Sequence, residues 1–248
     1  NGLELIFDSP VLVSESEAEK IKAADCVVVC IGHDNTSEKE NHDRTFALPK
    51  EHIEYLRSVL ALSDNVVVVL NGGGGIEMES WLPEVKAVLM AWYPGQQGGT
   101  AISEIITGKV SPCGKLPISI ETRLEDNPSY AHYYENVPRM RVPSINPYSR
   151  VEYREGIFVG YRGYEKNDVT PLFPFGFGLS YTSFEYSDLQ ITQDGSEYVV
   201  SFNVKNTGKV AGAEVAQVYV SDDECSVVRP EKELKGFDKV FLKPGETK

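Results

Sequence analysis

The sequence predicts an α/β protein, with a largely parallel sheet flanked by helices in an α/β sandwich, followed by a truncated β-sandwich module. Two observations carry this. Through the first half, apolar runs of strand length alternate with segments of helical period. After Phe184 that period vanishes, and short apolar runs are separated by Gly, Asp and Asn turn signals.

Taken in order, residues 14–24 read as a short amphipathic helix with Glu15 and Glu17 in its first turn, where acidic side chains favour the positive end of the helix dipole. Residues 26–31 follow as an apolar strand expected to be buried on both faces, as strands of parallel sheets are. The alternation returns with a helix over 50–62, a strand over 65–70, an apolar segment over 85–92, a helix over 99–107 and a strand over 115–119. Periodicity is then lost from Glu121 to Arg154, where four X-Pro steps and several tyrosines mark a wrapping loop. Segments 197–204, 213–220 and 234–242 supply the β module. The expected division is 1–120 for the α/β sandwich, 121–183 for the wrapping loop and linker, and 184–248 for the β module. A complete sandwich uses about seven strands. The visible strands are fewer, so the module is expected to be cut short and the start at Asn1 to be internal.

Composition narrows the function classes. Lys and Arg total 24 against 37 for Asp and Glu, a net charge of −13 that disfavours nucleic acid and anionic membranes and suits neutral partners such as sugars. No apolar run approaches the roughly 20 residues of a membrane span. The four cysteines, Cys26, Cys30, Cys113 and Cys225, are too few and scattered for a disulfide framework and are expected to be buried thiols. Neither they nor the four histidines show the paired spacing of a metal site, so no metal and no cofactor is expected.

Two polar or glycine-rich segments follow strands. The run Gly72-Gly73-Gly74-Gly75 lacks both Gly-X-Gly-X-X-Gly and a P-loop ending, and Glu77 and Glu79 would repel phosphate, so it reads as a tight turn. The segment from Gly32 to Arg44 is the richest in polar groups, and it lies after the first strand, where open α/β sheets place their ligands. From composition alone it reads as a solvated charged loop.

What assigns that loop is a resemblance. Glu38-Lys39-Glu40-Asn41-His42-Asp43-Arg44, leading to Leu48-Pro49, resembles the acid/base loop of glycoside hydrolase family 3. Further matches are Ala91-Trp92-Tyr93-Pro94-Gly95-Gln96, Ser111-Pro112-Cys113-Gly114-Lys115-Leu116-Pro117, the segment from Glu155 to Arg162, and the segment from Phe173 to Thr182. The end of the chain, from Glu233 to Phe237 and from Leu242 to Glu246, is similar to the fibronectin type III-like module that follows the α/β domain in many of these enzymes.

The resemblance implies the C-terminal portion of a retaining, exo-acting β-glycosidase, a β-glucosidase before a β-xylosidase, whose nucleophilic Asp sits on an N-terminal barrel with no counterpart here. It implies Glu40 as general acid/base, with Glu38 the alternative for that role. Glu38 and His42 are expected at the substrate, and Asp43 and Arg44 as a charge-assisted pair supporting the site. Lys39 and Asn41 stand where many relatives have glycine. The expected partners are a β-linked oligosaccharide or an aryl or alkyl β-glucoside and the missing barrel, with a homodimer left open and a periplasmic or extracellular location. The rival reading is a noncatalytic carbohydrate-binding or scaffold fragment.

Overall fold

A computed structural model describes residues 13–40, 44–133 and 152–248. The chain divides into two compact units: the described residues up to Gly99 with Ile120–Leu124, and Thr100–Ser119 with the described residues from Glu125 to Lys248.

The first unit opens with helix α1 (Glu15–Ala23), started by a capping box in which the Glu17 N–H donates to Ser14 Oγ and the Ser14 N–H donates to Glu17 Oε2. Strands β1 (Val27–Gly32), β2 (Val66–Asn71) and β3 (Ala87–Met90) form a parallel sheet in the order β1-β2-β3. Val27 lies opposite Val66 and Gly32 opposite Asn71, while Val67 to Leu70 face Ala87 to Met90. Helix α2 (Lys50–Leu60) connects β1 to β2 and buries Leu56 and Val59. It begins directly after Pro49, whose φ of −50° suits a helix entry. Only a short 3-10 turn, Leu82–Glu84, lies between β2 and β3, and beside it Trp81 is fully buried with its indole N–H donating to Glu77 O at 3.2 Å.

Central position decides burial. In β2, Val66, Val68, Val69 and Leu70 are all 0% exposed. Among the described residues β1 pairs on one side only, and it departs from the expectation of burial on both faces: Val27, Val29 and Ile31 are buried, Val28 is half-buried and Cys30 is exposed. The cysteine expectation falls with it. Cys26, Cys30 and Cys225 are exposed, Cys113 is intermediate, and all four are free thiols.

The second unit takes most of helix α3 (Gly98–Ile106), the single-turn helix α4 (Tyr130–Tyr133), helix α5 (Tyr161–Lys166) and four strands. The strand expected over 115–119 does not form. Pro117 has no N–H to give a ladder. Leu116 instead exchanges hydrogen bonds with the Gly176–Phe177 backbone, its N–H donating to Phe177 O and its carbonyl accepting from Gly176 N, both at 2.8 Å.

Strand β4 (Phe184–Asp194) pairs antiparallel with β5 (Glu197–Asn206), and β6 (Gly212–Val220) with β7 (Glu233–Leu242). Val204, Ala216 and Leu242 form the small core of this module, with Phe184, Phe202 and Val240 packed against it. Asn206, 0% exposed, holds it together: its amide donates to Val210 O and Leu242 O, and its Oδ1 accepts from Thr182 Oγ1 and Gly208 N.

β4 escapes recognition in sequence because its alternation slips. The register shifts between Ser187 and Gln190, and Asp188 has φ +55°, so a β-bulge puts Leu189 and Ile191 on the same face as Phe184 and Tyr186.

Candidate active site

Three chain segments leave the carboxyl ends of the parallel strands and meet. After β1, Gly32 leads into the polar loop, and a Cβ there would collide with the Asn71 carbonyl, so the close approach of the two strand ends requires glycine. His33 is buried, donates its backbone N–H to Asn71 O at 2.8 Å, and sets Nδ1 3.2 Å from Ser37 Oγ, while Nε2 has no hydrogen-bond partner among the described residues. Burial, then the positive charge of Arg44, holds the His33 imidazole below its ordinary range and favours the neutral ring, against the opposing pull of the Glu38 carboxylate.

The next turn is built by Asp34, whose Oδ1 accepts from the backbone N–H groups of Thr36 and Ser37 and from the Thr36 hydroxyl. The Asp34 carbonyl accepts from Glu38 N at 2.7 Å.

Glu38 is held by groups that follow all three strands. Its Oε2 accepts from the Tyr93 hydroxyl at 2.7 Å and from Gly73 N at 3.1 Å, and lies 3.5 Å from Arg44 Nε. Burial pushes this carboxyl up, but the Tyr93 and Gly73 hydrogen bonds and the charges of Arg44 and His33 outweigh it and hold Glu38 below its ordinary value, as the carboxylate. Arg44 is fixed in turn by donating to Gly75 O at 2.7 Å and Thr45 O at 3.1 Å.

Glu40, two residues on, is exposed, and among the described residues it has no hydrogen-bond or ion-pair partner. The structure therefore brings Glu38 and Arg44 together and leaves Glu40 reachable. His42 and Asp43 lie outside the described residues, as does the expected Asp43–Arg44 pair; the anionic partner of Arg44 among the described residues is Glu38.

Two residues of this cluster, Gly73 and Tyr93, lie in segments that the sequence marks as a tight turn and as a family match but does not place in the site. Gly73 belongs to the glycine run after β2, and Tyr93 follows β3. Their common signal is position, since each lies just past the carboxyl end of a parallel strand. Chemically, the arrangement is one carboxylate held by three donors, two residues before one exposed carboxyl group.

The description "Glycosyl hydrolase family 3 C-terminal domain" matches residues 12–181, and "Fibronectin type III-like domain" matches residues 214–248. This chain belongs to glycosyl hydrolase family 3. Among curated proteins it is 45% identical over 239 residues to the thermostable beta-glucosidase B of Acetivibrio thermocellus, covering 94% of this chain and 30% of that protein. It is 42% identical over 246 residues to a probable beta-glucosidase I of Neosartorya fischeri, covering 96% and 28%. Among solved structures, the family 3 beta-glucosidase of Bifidobacterium adolescentis superposes with a TM-score of 0.85 at 39% identity, over 94% of this chain and 33% of that one. The beta-glucosidase of Kluyveromyces marxianus in complex with glucose gives 0.83 at 42% identity, over 93% and 27%. The chain thus spans about 30% of the length of the curated relatives it matches.

Proposed function

We propose that the chain is the C-terminal part of a retaining, exo-acting β-glucosidase and supplies its general acid/base, Glu40. The observation that carries this reading is the contrast between the two carboxyls of the loop. Glu38 is spent on Tyr93, Gly73 and Arg44 and held as an anion, whereas Glu40 is exposed at the carboxyl end of β1. A proton donor must be able to carry a proton and reach its acceptor. Only Glu40 meets the second condition. The relatives' names favour a glucosyl over a xylosyl substrate.

Retention of configuration needs a second carboxylate. In the proposed reaction an Asp of a barrel outside this chain attacks the anomeric carbon while the bond to the leaving oxygen breaks and the Glu40 proton passes to that oxygen. Glu40, now a carboxylate, then takes a proton from water as the water oxygen attacks the same carbon and the glycosyl–Asp ester opens. Each side chain ends in its starting state. His42 is proposed as a wall of the sugar site.

The test is Glu40→Ala in the complete enzyme. Hydrolysis of glucosides with poor leaving groups should fall about 10²- to 10⁴-fold, the range for loss of general acid–base catalysis. Activated aryl glucosides should still form the intermediate and stall, and azide should restore turnover with a β-glycosyl azide as product. Unimpaired hydrolysis by Glu40→Ala would overturn the assignment.

A further inference from the structure

We infer that Glu38 is a positioning residue, and that a clamp of the Tyr93 hydroxyl, the Gly73 N–H and the Arg44 guanidinium on its carboxylate fixes the loop that presents Glu40. The inference rests on the reading of Glu40 given above.

The clamp gathers groups from three separate stretches of chain, and each is itself held. Asn71 Nδ2 donates to Trp92 O at 3.0 Å, and Trp92 has φ +55°, a left-handed conformation costly for a bulky residue that turns the chain after β3. The next residue, Tyr93, directs its hydroxyl at Glu38 although the side chain as a whole is 53% exposed. Gly73 leaves β2 with its N–H on the same oxygen. A Cβ at Gly73 would collide with Glu38 Oε1 and come within 3.3 Å of Tyr93 Cε2, so the carboxylate occupies the space that glycine leaves open. Arg44 is oriented by the carbonyls of Gly75 and Thr45, and its own side chain is largely buried.

Three donors of independent origin on one carboxylate, one of them cationic, are a means of locking a loop. A sugar hydroxyl bound to Glu38 Oε2 would have to displace one of them. This moves Glu38 from the expected substrate contact to a support beneath it. The mechanical consequence follows from chain geometry. Two residues span at most about 7 Å when extended, so a pinned Glu38 confines the backbone of Glu40 to a small volume. A displacement of about 1 Å at a catalytic group can cost roughly 100-fold in rate.

The same contacts mark Tyr93. Its phenol is pushed up to about 12 from an ordinary 10.0, first by burial and then by its hydrogen bond to Glu38 and that residue's negative charge. This gives a readout that does not depend on turnover.

The experiment compares Tyr93→Phe, Gly73→Ala and Glu38→Gln with wild type and with Glu40→Ala in the complete enzyme. Each clamp variant should lower kcat on poor leaving groups by about 10- to 100-fold with KM little changed, as expected for lost alignment. Azide should rescue none of them, because Glu40 still fills its place, while it rescues Glu40→Ala. In the 248-residue chain labelled with ¹³C at tyrosine Cζ, Glu38→Gln should move the Tyr93 titration from about 12 toward 10. Wild-type kcat in all three variants, alongside azide rescue of Glu40→Ala, would overturn the clamp and leave the Glu40 assignment standing. A raised KM at unchanged kcat in Glu38→Gln would make Glu38 a substrate contact and also overturn it. Azide rescue of Glu38→Gln with none for Glu40→Ala would instead remove the Glu40 reading, and the clamp with it.

Discussion

Strands β2 and β4 both bear several large apolar side chains, yet they stand at opposite limits of burial. In β2 Val66, Val68, Val69 and Leu70 are 0% exposed, whereas in β4 Leu189 is 66% and Ile191 63% exposed. The first strand is central in a parallel sheet and meets neighbours on both edges; among the described residues the second pairs along β5 only. The cohesion of the first unit is therefore concentrated in one apolar strand and in the fully or almost fully buried side chains Leu56, Ile76, Met78 and Trp81. The β module has the small cluster of Val204, Ala216 and Leu242 and depends on the buried amide of Asn206 to tie its loops to its strands.

That contrast sets an order of expected effects. Leu70→Ala removes a fully buried side chain from β2 and should cost about 2–5 kcal/mol, the usual range for a core truncation to alanine. Guanidinium unfolding followed by tryptophan emission will measure it, because Trp81 and Trp92 both lie in the first unit. A loss below 1 kcal/mol would break the comparison, since β2 would then not be the structural centre.

Asn206→Ala strips partners from the Val210 and Leu242 carbonyls, the Gly208 N–H and the Thr182 hydroxyl. Buried groups left unsatisfied cost about 1–3 kcal/mol, and a loss in that range is expected in far-ultraviolet circular dichroism. The tryptophan transition should stay where it is. Movement of both signals together would show that the two units unfold as one. The smallest effect belongs to Leu189→Ala, which should remain within about 0.5 kcal/mol of wild type, as exposed positions do. A larger loss would mean that this strand face is covered in solution.

The same physics explains what could be read in the sequence. Runs at 26–31 and 65–70 foretell β1 and β2 because strands of a parallel sheet are apolar without interruption. Glu15 and Glu17 marked the first turn of α1 through their favourable place at the positive end of the helix dipole. What escaped depends on contacts distant in sequence. Cys30 looked buried because its neighbours are apolar, but β1 lies at the sheet edge in the described fold. The segment 115–119 looked like a strand although Pro117 excludes a ladder there. Within the site, Glu38, Glu40 and Arg44 were marked as candidates because their types and spacing resemble a family loop. The roles of Gly73 and Tyr93 were not, because nothing local to either residue says that a carboxylate 35 or 55 positions away will rest against it.

The bulge at Asp188 also bears on how this strand tolerates changes in length. In a regular strand, gaining or losing one residue turns every later side chain to the opposite face. Here the surplus residue is already absorbed, and Leu189 and Ile191 stay on the side of Tyr186. Excising Asp188 would leave Leu189 two places after Tyr186, on that same side, in an unbroken ladder. A one-residue deletion is thus nearly silent to the apolar face at this point, whereas the same deletion on either side of it would invert part of that face.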